Sequence, residues 1–201
     1  MTPRRLTPRQ VKNGTLIAGI LLAGLVLLTW TGTWFQLVLD GESSSHSSLT
    51  VTGSTAAPGL IALALAGLAL VGALAIGGPV VRAVLGVVEV LLGFTVVFSA
   101  VVALQNPATA SESLITGATG ISGSAAIEKL VTSVTVTAWP WLAAVAGLLL
   151  MALGVFIVIT GRRWPGSSNK YQAVRLESQQ PGENPAADWD SLSGGDDPTS
   201  R

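Results

Sequence analysis

The stretch AVLGVVEVLLGFTVVFSAVVAL, residues 83–104, decides the fold. It holds a single formal charge, Glu89. A helix of this length rises about 33 Å, enough to cross the roughly 30 Å hydrocarbon core of a bilayer. Outward from it lie three more apolar runs of similar length, 14–33, 57–78 and 139–160, none of which carries a charge. Pro58 and Pro140 fit helix starts, and Pro79, Pro107 and Pro165 fit stops, because proline lacks an amide hydrogen and is tolerated only in a first turn or outside a helix. The whole chain is 49% apolar and 11% charged, with a mean hydropathy of +0.60. Soluble domains carry roughly 25% charged residues, so no water-soluble core absorbs this composition. The expected fold is an all-α membrane protein, a four-helix transmembrane bundle.

Arg4, Arg5, Arg9 and Lys12 before the first run give it the outline of a secretory leader. It is long for a leader, runs into Trp30, Trp34 and Phe35, and no small-x-small cleavage site follows, so a retained anchor is expected. Lysine and arginine are kept on the cytoplasmic side of short connections. Ten of the eleven (Arg4, Arg5, Arg9, Lys12, Arg82, Arg162, Arg163, Lys170, Arg175 and Arg201) fall in segments that one topology places together, and only Lys129 falls opposite. The layout that follows is a basic cytoplasmic N-terminus 1–13, outer loops 34–56 and 105–138, a cytoplasmic turn 79–82 and a cytoplasmic tail 161–201. The protein is expected in the inner, plasma membrane, multi-pass, with both termini in the cytoplasm.

Trp30, Trp34, Trp139 and Trp141 at the outer interface and Trp164 at the inner one are expected to anchor the bundle, since amphipathic rings settle at headgroup level. In the first outer loop, residues 33–39 and 49–54 alternate or are β-branched around a polar 41–48 turn, which predicts a β-hairpin. The second loop opens with Asn106 and Pro107 and has a patterned segment from Ser124 to about Val134, read as a short helix with Ser124 as N-cap. From Gly166 onward the chain is polar and too poor in large apolar residues to bury a core, so this tail is expected to be disordered. Asp188, Trp189, Asp190 and Leu192 near its end have the composition of a short peptide that docks on a cytoplasmic partner.

Helices associate in lipid through small residues, because lipid tails accommodate leucine as well as a neighbouring helix does. Ala62, Ala66, Ala69 and Ala73 form such a row in the second run, Gly86, Gly93 and Ala100 in the third, and Ala143, Gly147 and Gly154 in the fourth. All three rows are expected inside a compact antiparallel bundle. Glu89 is the candidate intramembrane functional residue, since an ionisable group in hydrocarbon is costly. It reads either as a proton- or cation-coupling carboxylate or as a side chain hydrogen-bonded to a neighbouring helix or reaching toward the interface. Arg82 lies seven residues away on the same face, about 10 Å along the axis, too far for direct pairing unless the arginine snorkels.

There is no cysteine, and His46 is the only histidine, so no thiolate or histidine-rich metal site is available. No phosphate-cradling glycine loop or nucleophile–histidine arrangement is present, so no catalytic, cofactor-binding or metal-ligating residue is nominated and an enzyme is not expected. The zero net charge argues against a nucleic-acid partner. The bilayer itself, a second copy or another membrane protein, and a cytoplasmic protein meeting the acidic tail are the expected partners.

Gly32 to Phe35, Val51 to Gly53 before Ala56, Ala57 and Pro58, the 82–93 stretch, Thr137 to Trp141, Arg162 to Pro165 and Asp188 to Asp190, taken in order, resemble the tryptophan-associated transmembrane proteins of actinobacteria. The resemblance covers nearly the whole chain. It implies a link to tryptophan biosynthesis and carries over no catalytic residue. The expectation is then a non-catalytic accessory or regulatory membrane protein. The alternatives are a small transporter or exporter of tryptophan, indole or a related aromatic metabolite, with Glu89 on its path, and a claudin-like membrane scaffold suggested only by fold analogy.

Overall fold

The computed structural model describes residues 7–39 and 48–164. Helix α1, Pro8–Thr31, starts within the expected basic N-terminus because Thr7 and Gln10 form a reciprocal capping box. The Thr7 hydroxyl accepts from the Gln10 amide at 3.4 Å, and the Thr7 amide donates to the Gln10 side chain at 2.9 Å. Strands β1, Thr33–Leu39, and β2, Ser48–Thr52, follow as the expected hairpin, with the one-turn helix α2, Gly53–Ala56, leading into α3, Leu60–Ile76. Helix α4, Pro79–Gln105, begins one residue after Gly78. Pro79 is therefore a helix start rather than a stop, and the expected turn 79–82 is the first turn of α4. Proline's fixed φ suits that position, where its missing amide hydrogen is no loss.

The segment 105–138 holds more structure than expected. Short helices α5, Pro107–Ala110, and α6, Glu112–Thr119, precede α7, Ser124–Leu130. The residue before α7 is Gly123 at φ 102°, a conformation open to glycine, so Gly123 and not Ser124 occupies the cap. The expected helix also stops short. Residues from Val131 on form strand β3, Val131–Val136, antiparallel to β1, giving the sheet order β2-β1-β3. Five of the six residues of β3 are β-branched, which crowds a helix and suits a strand once a partner is present. The last helix, α8, Trp139–Thr160, ends in a 3₁₀ turn, Gly161–Arg163.

Three helices, α1, α4 and the α8 rod through Arg163, are long and apolar enough to cross a membrane. Helix α3 is shorter, at 17 residues. Helix α1 packs on α3 and α8, and α4 packs on the same two. The sheet sits at one end of these helices. Phe35, Leu37 and Val51 on its inward face join Val26, Leu60, Ala100 and Ala143 in one buried cluster. Thr137 ties the start of α8 to β1, its amide donating to the Trp34 carbonyl at 3.0 Å and its hydroxyl to the Thr33 carbonyl.

Two of the three small-residue rows lie inside and one does not. Gly86, Gly93 and Ala100 of α4 are buried against α8, as are Ala143, Gly147 and Gly154 in return. On α3, however, Ala62, Ala66 and Ala69 are exposed. The buried row there is Leu60, Ala64, Gly67, Val71 and Leu74. It packs on α1 through small residues of both helices: a Cβ at Gly19 of α1 would lie 2.6 Å from the Val71 side chain, and one at Gly67 would lie 3.6 Å from Ala23.

Candidate functional site

The two buried charged residues among those described, Arg82 and Glu89, both lie on α4. Arg82, Gly86, Glu89, Gly93, Val96, Ala100 and Ala103 alternate at spacings of four and three, which keeps them on one seam of the helix. On α8, which runs antiparallel to α4, Ala143, Gly147, Leu150, Gly154 and Ile157 repeat the same alternation of four and three. The backbones nearly touch. A Cβ at Gly154 would lie 2.7 Å from the Gly86 carbonyl oxygen, and one at Gly147 would lie 2.8 Å from that of Gly93. Glu89 sits between these crossings, 1% exposed. Neither of its carboxyl oxygens has a hydrogen-bond partner among the described residues.

At the end opposite the sheet, Arg82 is fully buried and closes the C-terminus of α8. Its Nη1 donates to the carbonyl oxygens of Gly161, at 3.5 Å, and Trp164, at 3.3 Å, and its guanidinium lies 5.5 Å from the Trp164 ring centroid. Carbonyls at a helix end have no partner within the helix, so a cation there satisfies both their hydrogen-bonding capacity and the local dipole. The sequence signal for this clasp was limited to an arginine in the short connection before the third apolar run and a tryptophan just beyond a pair of arginines. Lys12 makes a similar contact at the same end, its Nζ donating to the Ala75 carbonyl at 2.8 Å and tying α1 to the end of α3.

The expected anchor tryptophans divide. Trp141 is 61% exposed, and Trp30 and Trp139 are partly buried. Trp34 is not an interface anchor: it is fully buried, with Nε1 donating to the Thr29 carbonyl at 2.8 Å. Trp164 is likewise turned inward, onto Arg82. Both rings found a buried carbonyl or cation that sequence position did not reveal. The candidate tail residues Asp188, Trp189, Asp190 and Leu192 lie outside the described residues.

Two concavities are present near these elements. One, of about 540 Å³, opens between the start of α3, the end of α4 and α5, and is lined by Pro58, Phe98, Ser99, Asn106 and Thr109 among others. The other, of about 430 Å³, runs between α1 and α8 and is wholly apolar. Neither includes Glu89 or Arg82.

An unsatisfied buried polar group costs about 1–3 kcal/mol. Glu89→Leu, which keeps the volume and removes the carboxyl, is therefore expected to raise stability by about that amount. Thermal unfolding in detergent reads it, and a lower melting temperature would mean that the carboxyl is bonded in the native protein. A stabilised variant would mark Glu89 as a residue kept at a cost to the fold, as functional residues commonly are.

No curated relative and no solved structure matches the chain. A family model, that of the tryptophan-associated transmembrane proteins, matches residues 16–199. That match extends over nearly the full length, through the apolar helices and the three-stranded sheet, and the chain therefore belongs to the family of tryptophan-associated transmembrane proteins.

Proposed function

We propose that this protein is a non-catalytic, four-span membrane protein, with both termini in the cytoplasm, that serves as an accessory or regulatory component associated with tryptophan biosynthesis. The observation that carries this reading is the α4–α8 seam. A transport path needs polar surface that water reaches, whereas here the one intramembrane carboxyl is enclosed between helices whose glycine backbones are in contact. Four spans are supported by α3, whose 17 residues rise about 25 Å, a shortfall a bilayer meets by modest thinning. Its first residue joins the cluster beneath the sheet and its last turn meets Lys12, so its ends lie at opposite ends of the helices.

Orientation is supported by charge. Arg9 and Lys12 near the start of α1, Arg82 in the first turn of α4, and Arg162 and Arg163 in the 3₁₀ turn all lie at the helix ends away from the sheet. The chain has no cysteine, so single cysteines report topology without background. Ser133→Cys on β3 is expected to react with an impermeant maleimide in intact spheroplasts, and Arg9→Cys only after permeabilisation. The reverse pattern would overturn the orientation.

Glu89 keeps the transporter reading in contention, because a buried carboxyl without a bonding partner is the kind of group a coupled carrier uses. Flux of labelled tryptophan and indole into proteoliposomes discriminates. No flux is expected from the wild-type protein. Flux that is lost in a folded Glu89→Gln variant would replace the accessory reading with transport.

A further inference from the structure

The groove between α1 and α8 is lined by Ala18, Leu21 and Leu22 on one side and Leu149, Leu153 and Phe156 on the other. It runs from the middle of both helices toward the end that carries the basic residues. Over residues 149–156 it extends about 10 Å, two-thirds of the roughly 15 Å that one leaflet contributes to the hydrocarbon core. On α8 the row Leu149, Leu153, Phe156 and Thr160 advances by four, three and four residues, and the next step of three reaches Arg163. On α1 the residue four before Ala18 is Gly14, where an added Cβ would meet nothing within 4 Å, so the groove stays open toward the same end. Arg163 is exposed, and the only described carboxylates, Glu89, Glu112 and Glu128, lie in the seam or in the outer segment.

The geometry points to a binding site for one anionic phospholipid, with an acyl chain laid in the α1–α8 groove and the headgroup phosphate held by Arg163. The two features are independent: the groove is purely apolar, and the cation is placed at its open end by helical phase. The seven steps from Phe156 to Arg163, the last three through the 3₁₀ turn, rise about 12 Å, a gap that an extended arginine and a lipid's glycerol backbone bridge together. Basic positions beside clefts between transmembrane helices on the cytoplasmic side suit anionic headgroups. A zwitterionic headgroup fits less well, since it brings its own cation to Arg163. A second copy of the chain also fits less well, because a twofold contact through this groove sets Arg163 near its own image with no described carboxylate between them.

The leaflet assigned to this site rests on the proposed orientation, but binding in detergent has no sides, so lipid retention and cysteine labelling fail independently. The test is retention of dioleoyl phosphatidylglycerol and dioleoyl phosphatidylcholine by the full chain in a neutral detergent, read by native mass spectrometry. Wild type is expected to keep one phosphatidylglycerol and to prefer it by about fivefold, the worth of one arginine near an anionic surface. Arg163→Gln, at an exposed position outside the packed core, is expected to lose that preference and still bind either lipid weakly. Ala152 also lines the groove, and Ala152→Phe, which fills it, is expected to lose retention of both. Equal retention of the two lipids by wild type, an unchanged preference in Arg163→Gln, or a dimer that added lipid does not dissociate would each overturn the assignment.

Discussion

Gly93→Leu is expected to lose at least about 3 kcal/mol of stability and most of the monodisperse protein recovered in detergent. A Cβ at Gly93 would lie 2.6 Å from the Gly147 carbonyl oxygen and 2.7 Å from the Met151 amide nitrogen. Both obstacles are backbone atoms of α8, and neither can rotate away. A leucine must therefore push α4 and α8 apart. The displacement does not stay local, because Gly86 and Gly154 make the same kind of contact one heptad along. Close packing supplies most of the attraction between helices in lipid, where leucine gains nothing by leaving a hydrocarbon solvent, so a parted seam has no hydrophobic term to fall back on. Gly72→Leu on α3 is the matched control: the site is exposed, nothing lies within 4 Å of an added Cβ, and leucine favours the helix. Melting temperatures of the two variants decide the matter. Equal values would show that the glycines are not in backbone contact in the native protein.

Trp34→Ala should be nearly as damaging, at about 3–5 kcal/mol, the usual range for truncating a buried tryptophan. The ring lies where α1 turns into β1. Its Nε1 donates to the Thr29 carbonyl, its edge meets Phe35 at a centroid distance of 6.3 Å, and it leaves so little room beside Gly53 that a Cβ there would lie 2.7 Å from Nε1. Truncation opens a cavity beneath the sheet and leaves the Thr29 carbonyl without this donor. Trp34→Phe isolates the second effect and should cost about 1–2 kcal/mol. Near-UV circular dichroism should register the loss of the ordered ring, while far-UV helix content stays close to wild type because the long helices persist. Trp141→Ala, at an exposed position, should leave the melting temperature in detergent almost unchanged. A large loss there and a small one at Trp34 would reverse the burial assigned to the two rings.

The sequence by itself determined the class of the protein and the approximate extent of its long helices. Length and hydropathy are properties of a segment read alone, and a run such as 83–104 satisfies its backbone internally whatever surrounds it. The hairpin was legible for the same reason, since β1 and β2 alternate locally and are separated by only eight, mostly polar, residues in sequence. The starts of α1 and α4 were written in Thr7, Gln10 and Pro79 but lay under charged or turn-like residues that drew the boundary inward. Only the tertiary structure decided which faces meet. Strand β3 exists because β1 lies beside it from about a hundred residues earlier, and without that partner its β-branched run has no ladder to join. The alanine row of α3 faces outward while the glycine rows of α4 and α8 close on each other, although all three read alike as spacing. Hydropathy cannot separate these outcomes, because the lipid and the protein interior are equally apolar solvents. The choice between them falls to steric fit across two helices, which no single segment contains.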